Sequence, residues 1–451
     1  MSLAVAKPRS AGRQILDATI LIACVTGMVR LLLVGRDLAL SSRLGTSDAV
    51  DAFLVASALP LFLVSVLTSA FAGAVIPSVI RVRESEGQQA SLRMLGNLAT
   101  IAGLVLALVS LLVALAAPLY VPWIGGEFSP EKTRLTLQLQ VLLAPMLVAG
   151  GIAGILKAGL NAEKRFFWTA LSPAAPALGS LGFFLLLEPV YGIHSMAWGL
   201  LAGATLEAIL LATILRRLGL RIPIALDLTS PAAREVGRHF VPILAGALLM
   251  GMTTFVNQMM AARLDSGSVA ALNYANKIIT LPQGIAVTAL GMAVVPFLSQ
   301  MAARRDFTAL QSTIRQGLRG VFAVSVPGTL LLIAFSTPIV RLVFERGLFS
   351  AQDTELVARV QSCFALQIPF YMASIFVVRA ISALQINRLL VMGSAINLAV
   401  NITLNLLLVR VLGVAGIALS TSCVYLVSFL FLYGNVRRHL ARLPQNLEAA
   451  A

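Results

Sequence analysis

Residues 27–77 read GMVRLLLVGRDLALSSRLGTSDAVDAFLVASALPLFLVSVLTSAFAGAVIP. Two apolar runs of helical length flank a short polar turn around Arg43 and Asp48. About 20 mostly apolar residues suffice to cross a bilayer. In hydrocarbon each backbone polar group must be satisfied within the segment, so both runs are expected to be helices. The first run nonetheless carries Arg30, Arg36 and Asp37. A charge at the bilayer centre costs about 2.5–3.5 kcal/mol on insertion scales, so such residues face a wet cavity or a partner.

The same pattern continues along the whole chain. Apolar residues make up 58% of its 451 positions and charged residues 12%, with a mean hydropathy of +0.91. A soluble domain carries roughly 25% charged residues. Apolar stretches of helical length fall at 15–41, 50–79, 94–122, 135–160, 166–187, 193–215, 239–262, 267–300, 318–342, 358–384, 389–411 and 414–436. The expected fold is therefore all-α and integral to a membrane, with about twelve transmembrane helices. Cys24, Cys363 and Cys423 lie far apart in apolar stretches, and His194, His239 and His439 do not cluster. Buried small hydrophobes are the expected role of the cysteines. No metal site, cofactor or catalytic residue is expected.

Charge sets the expected orientation. With a cytoplasmic N-terminus, twenty-three Lys and Arg fall on the cytoplasmic side and eight on the other, among them Lys132 and Arg134. This is a positive-inside bias. Both termini are then cytoplasmic, and the net charge of +15 needs no nucleic-acid partner. The tail MSLAVAKPRSAGRQ is basic and lacks a small-residue cleavage site after a short apolar core. It reads as a cytoplasmic tail and not a signal peptide.

The two halves repeat. Arg43-Leu44 recurs as Arg263-Leu264, Leu59-Pro60 as Leu281-Pro282, and Val75-Ile76-Pro77 as Val294-Val295-Pro296. Phe128-Ser129 recurs as Phe349-Ser350, Lys157-Ala158 as Arg379-Ala380, and Pro145, Gly192 and Ala197 match Pro369, Gly413 and Ala418. Six helices per half give the repeats the same orientation, a parallel arrangement that places a cavity between two lobes. Lobes are expected at 1–222 and 223–451, joined by a basic linker at about 216–238 that carries Pro223 and Pro231. Pro60, Pro145, Pro282, Pro327 and Pro369 fall inside spans, where proline kinks a helix.

Arg30, Arg36 and Lys277 are the three basic residues that remain after that count, and they fall inside spans. Arg30 and Arg36 are six apart, which leaves them roughly 120° apart around the helix. Guanidinium forks suit phosphate oxygens and an ammonium acts as a point charge, so a pyrophosphate between lobes would satisfy all three. The alternatives are snorkelling to the headgroups or a structural bridge to Asp37 or Glu207. Glu207, mid-span, is either a coupling carboxylate or packed against a polar neighbour. Asn397, Asn401 and Asn405 form a stripe that lines the second lobe or joins helices by hydrogen bonds.

The stretch at 27–77 resembles the start of the lipid II flippases, the MurJ/MviN family of the multidrug/oligosaccharidyl-lipid/polysaccharide exporter superfamily. The matching residues are Arg30, Arg36-Asp37, Asp51-Ala52-Phe53, Ala56 and Leu59-Pro60. The eighth span, SGSVAALNYANKIITLPQGIAVTALGMAVVPFLS, and the loop VFERGLFS are similar to the family as well. The resemblance implies two six-helix lobes forming a V around a cationic cavity. It implies transport of an undecaprenyl-pyrophosphate-linked sugar from cytoplasmic to periplasmic leaflet of the inner membrane. It makes Arg30 and Arg36 cavity arginines, with Asp37 and Asp51 beside them, and Arg43 and Arg263 supporting charges or gate residues. The substrate is then lipid II or another lipid-linked oligosaccharide, with membrane lipids and envelope-glycan synthesis proteins as partners.

Three departures accompany the resemblance. The family's Leu-Leu-Arg-Arg run is here Leu63-Val64-Ser65, and its eighth-span arginine is Lys277. The family adds two further helices where this chain is expected to end, soon after the twelfth span. Its sodium site uses acidic residues in the second lobe, and the spans there carry no carboxylate. These departures point to an exopolysaccharide repeat unit as the alternative cargo. A cationic-drug exporter needs acidic cavity residues. An enzyme needs a positioned acid, base or nucleophile, whereas Glu127, Glu131, Glu345 and Asp353 are scattered. A non-transporting scaffold has no reason to bear intramembrane charge.

Overall fold

Local sequence decides where each helix stops. The computed structural model describes residues 11–126, 128–227 and 229–442, without the side chains of 11–20, 232 and 285–296. The basic tail at 1–10, Glu127 and the side chains of Val294-Val295-Pro296 lie outside the described residues. Among the described residues every regular element is a helix. The chain opens with α1 (Ala11–Leu44), α2 (Asp48–Glu86) and α3 (Gln88–Gly125). Shorter helices follow: α4 (Pro130–Leu143), α5 (Met146–Ala162), α6 (Phe166–Leu171), α7 (Ala174–Tyr191) and α8 (His194–Arg217). Beyond a non-helical linker come α9 (Pro231–Ala261), α10 (Ser268–Ala303), α11 (Phe307–Ala334) and α12 (Ser336–Phe344). The last four are α13 (Ala351–Ala365), α14 (Gln367–Ala383), α15 (Arg388–Leu412) and α16 (Val414–Ala441).

Ten of the expected spans coincide with helices, single or end to end, that are long and apolar enough to cross a membrane. The stretches at 15–41 and 267–300 lie on α1 and α10. Proline accounts for two breaks. Pro145 separates α4 from α5, and Pro369 sits in the first turn of α14, just past the break from α13. Its ring removes an N–H donor and blocks the preceding turn.

The repeat reaches the backbone. Left-handed residues occur at Gly45, Gly87, Gly126, Lys164 and Gly192, and in the same order at Gly267, Arg305, Gly347, Gln385 and Gly413. Only Gly219, in the linker, stands outside this correspondence among the described residues. Gly192 and Gly413 share nearly one geometry, φ 53 and ψ −137 against φ 57 and ψ −136. A Cβ disfavours that region, so glycine ends the helix at both places.

Contacts divide the chain into two compact units. One holds the chain up to Arg36, Leu67–Leu111 and Pro145–Val241; the other holds Asp37–Val66, Leu112–Ala144 and the chain from Pro242 onward. In the first unit α7 and α8 approach closely through Gly179, Gly199 and Gly203, the small-residue packing favoured between helices in lipid. Leu156 and Leu160 of α5 meet Leu211 and Leu215 of α8. The linker is pinned to α3, because Asn97 donates to the Asp227 carbonyl at 2.8 Å and accepts from its N–H at 2.7 Å. The second unit has its core where Leu310, Ile314 and Leu318 of α11 meet Phe376 and Val377 of α14 and Leu432 of α16. On α3, Leu104, Leu108, Leu111 and Leu115 are all exposed. Their spacing makes one apolar stripe, a face suited to lipid.

Candidate functional site

The start of α10 concentrates the charge chemistry of the second unit. Gly267 occupies the N-cap of α10 and offers no side chain to bond the free N–H groups of the first turn. Those donors need a partner. Asp51, on α2, supplies it: its carboxylate accepts from the N–H of Gly267 and of Ala270, each at 2.8 Å. A carboxylate at a helix N-terminus also meets the positive end of the helix dipole. Asp51 is 1% exposed and is neutralised by Lys132 Nζ at 3.0 Å. The same ammonium bridges to Asp48 at 2.7 Å and lies 4.3 Å from the Phe128 ring centroid. Ser266 donates to Asp48 at 2.7 Å. Two carboxylates, one ammonium and one helix end thus form a single network, buried at Asp51 and Lys132 and exposed at Asp48.

A second pair lies further along the same helix. Lys277 Nζ is 3.0 Å from Asp37 Oδ2. The Asp37 side chain is 7% exposed and that of Lys277 34%. The bridge to Asp37 left open by the sequence is formed, and the lysine side chain stays partly exposed. Asp37, Arg43 and Lys277 belong to the second unit, Arg30 and Arg36 to the first. Arg30 is exposed on α1 and Arg36 is half-buried. Arg263 donates to the Trp123 carbonyl at 3.0 Å, and its guanidinium stacks 4.7 Å from the Trp123 ring.

Glu207, in the first unit, is buried and paired: Lys157 Nζ lies at 2.7 Å and Ser172 Oγ donates at 2.8 Å. The asparagine stripe of α15 is tied into an amide knot in the second unit. Asn257 of α9 accepts from Asn401 at 3.0 Å and Asn405 at 2.8 Å, and donates to Thr421 at 2.8 Å. Asn397 donates to Ser428 at 3.1 Å. This cluster contains amides and hydroxyls only. Among the described residues no three His, Cys, Asp or Glu side chains converge on one point. The acidic sodium site that the family resemblance implies does not fit these residues.

The sequence reading missed one residue here and counted two others only as loop charges. Lys132, counted among the outer-loop charges, is instead 6% exposed. It falls in the first turn of α4, which Ser129 caps and Pro130 opens. The Ser-Pro pair signals a helix start, but nothing local signals burial. Asn257 carried no mark in sequence, because its partners lie on other helices. Lys157, counted as a cytoplasmic charge, is the partner of Glu207.

Comparison with known proteins bears on the family and the fold. Residues 40–449 match the family model described as lipid II flippase MurJ. That range contains Asp51, Lys132 and Lys277 and begins after Arg30, Arg36 and Asp37. A probable lipid II flippase MurJ of Synechocystis sp. is 26% identical over 423 residues, covering 90% of this chain and 79% of the relative. A solved lipid II flippase MurJ in an inward closed conformation superposes with a TM-score of 0.81 at 24% identity, covering 93% of this chain and 87% of the other. An inward-facing multidrug resistance MATE transporter of the MOP superfamily gives 0.72 at 13% identity, covering 94% of this chain and all of the other. Membrane-spanning helices and a family match over nearly the whole chain make it a multi-pass transporter rather than an enzyme, and the chain belongs to the lipid II flippase MurJ family.

Proposed function

We propose that this protein moves an undecaprenyl-pyrophosphate-linked glycan precursor of the lipid II type from the cytoplasmic to the periplasmic leaflet of the inner membrane. Movement is by alternating access between two six-helix lobes, 1–222 and 223–451, with both termini cytoplasmic. Arg30, Arg36 and Lys277 bind the pyrophosphate, and Asp37 orients Lys277. The observation that carries this reading is the Lys277–Asp37 pair. It joins a partly exposed lysine side chain to a buried carboxylate on helices that otherwise read as membrane spans, where an unused charge would be costly. Asp51, Lys132 and Arg263 hold the neighbouring helix ends together.

A lipid-linked exopolysaccharide repeat unit is the second reading. It is favoured by Leu63-Val64-Ser65, where the family carries two arginines, and by lysine in place of arginine at Lys277. Complementation separates the two. The endogenous lipid II flippase of a Gram-negative host is depleted while this protein is expressed. Growth and the lipid II pool are then followed. Rescue with a falling lipid II pool supports the first reading. Failure, with the protein present in the membrane, removes it in favour of the second.

A further inference from the structure

A cavity of about 350 Å³ lies within the second unit among α9, α14, α15 and α16. Its wall carries no charged side chain. Anions such as pyrophosphate find no cation there, and cationic drugs find no carboxylate. The amide knot forms one side, where Asn257 already accepts from Asn401 and Asn405. A desolvated hard cation asks for a tight shell of oxygen ligands. This cavity offers instead a volume of about twelve waters at about 30 Å³ each, walled by seven aliphatic or methionine side chains, two tyrosines and nine serine, threonine and asparagine side chains.

Two polar groups on the wall are unsatisfied. The Ser374 hydroxyl and the Asn397 side-chain carbonyl are buried with no hydrogen-bond partner among the described residues. Ser374 is 6% exposed. Asn397 spends its amide N–H on Ser428, so its oxygen remains as an acceptor. Buried polar groups without partners are rare, and each calls for a ligand or water. Tyr371 and Tyr425 line the same cavity as an edge-to-face pair with centroids 5.0 Å apart. The wall thus combines apolar and aromatic surface with neutral donors and acceptors. A pyranose has the matching character, with C–H faces and a rim of hydroxyl and amide groups.

We infer that this cavity is a subsite for a neutral, amide-bearing sugar of the transported head group. This rests on the proposed function, because it assumes a glycosylated carrier as cargo. Asn397 accepts from a sugar hydroxyl or amide N–H, Ser374 donates to a sugar oxygen, and a tyrosine ring packs on a C–H face.

The test is binding to the purified full-length protein, measured by native mass spectrometry. The probes are bare undecaprenyl pyrophosphate and the same carrier bearing one N-acetylhexosamine. Wild type is expected to hold the glycosylated carrier about tenfold more tightly, the effect of one or two buried hydrogen bonds. Ser374→Ala and Asn397→Leu, singly and together, are expected to erase that preference and leave the affinity for bare carrier unchanged, which also reports an intact fold. A preference that survives both substitutions overturns the subsite. So does sodium that competes with the glycosylated carrier in wild type and not in Asn397→Leu, because the cavity then belongs to a cation. Wild type that binds bare carrier with no sugar preference overturns the subsite alone. Wild type that binds neither carrier overturns the proposed function with it.

Discussion

Asp51 and Lys132 show what a buried charge does when its partners are complete. The carboxylate meets one ammonium and two backbone N–H groups. Asp51→Ala leaves Lys132 without its most buried partner and the α10 N-terminus uncapped. Removing one member of a buried ion pair costs about 3–5 kcal/mol, so thermal unfolding of Asp51→Ala should fall far below wild type. Lys132→Met should cost less when combined with Asp51→Asn than in the wild-type background, since the charge imbalance is gone. Additive losses in that cycle would dismiss the coupling. Lys277 differs, because its side chain is partly exposed. Lys277→Arg is expected to keep more transport than Lys277→Ala, with Asp37 holding either cation. Equal loss in both speaks against a phosphate role. Arg36→Ala should abolish transport at normal expression, and normal export by that variant would defeat the cationic-cavity model.

Helices in lipid gain little from burying leucine against leucine, so close backbone approach matters more. The α7–α8 contact is built that way. A Cβ at Gly203 would sit 2.7 Å from the Ala175 carbonyl oxygen and close on Pro176. Backbone cannot swing aside as a side chain does, so Gly203→Ala should lower stability by about 1–3 kcal/mol, the usual cost of overpacking. Gly182, on the same helix as Gly179, has open space around its Cβ position, so Gly182→Ala serves as the control and should lose nothing. Thermal unfolding of the two variants side by side decides the point. The helix boundaries themselves were readable in sequence where glycine set them, as at Gly192 and Gly413, whereas Pro145 reads in sequence as a kink inside one span and instead ends a helix. The break between α6 and α7 was not readable. Residues 166–187 read as one apolar span, although Pro173 stands at the break as the N-cap of α7.

For the whole molecule, the repeat and the charge bias together prescribe a topology. The turns at Gly87 and Arg305 should face the cytoplasm, and those at Gly126 and Gly347 the opposite side. Single cysteines placed at Gln88 and Phe307, in a chain lacking Cys24, Cys363 and Cys423, should resist a membrane-impermeant thiol reagent in intact cells. Cysteines at Pro130 and Leu348 should react. The reverse pattern would invert the orientation and the proposed direction of transport.

Membrane class, the positions of ten spans and the internal repeat were legible in the sequence. Each depends on quantities that run along the chain: apolar length, loop charge and the order of helix-stopping residues. The candidate site was legible only as a set of types. Arg30, Arg36, Asp37 and Lys277 stood out because charge is conspicuous in an apolar run. Tertiary structure alone revealed that Asp51 caps a helix beginning 216 residues away, that Lys132 is buried, and that Asn257 ties the asparagine stripe together. The physical reason is rotational. A helix apolar on every side has no amphipathic pattern to say which face turns inward, so only packing determines which buried polar groups meet.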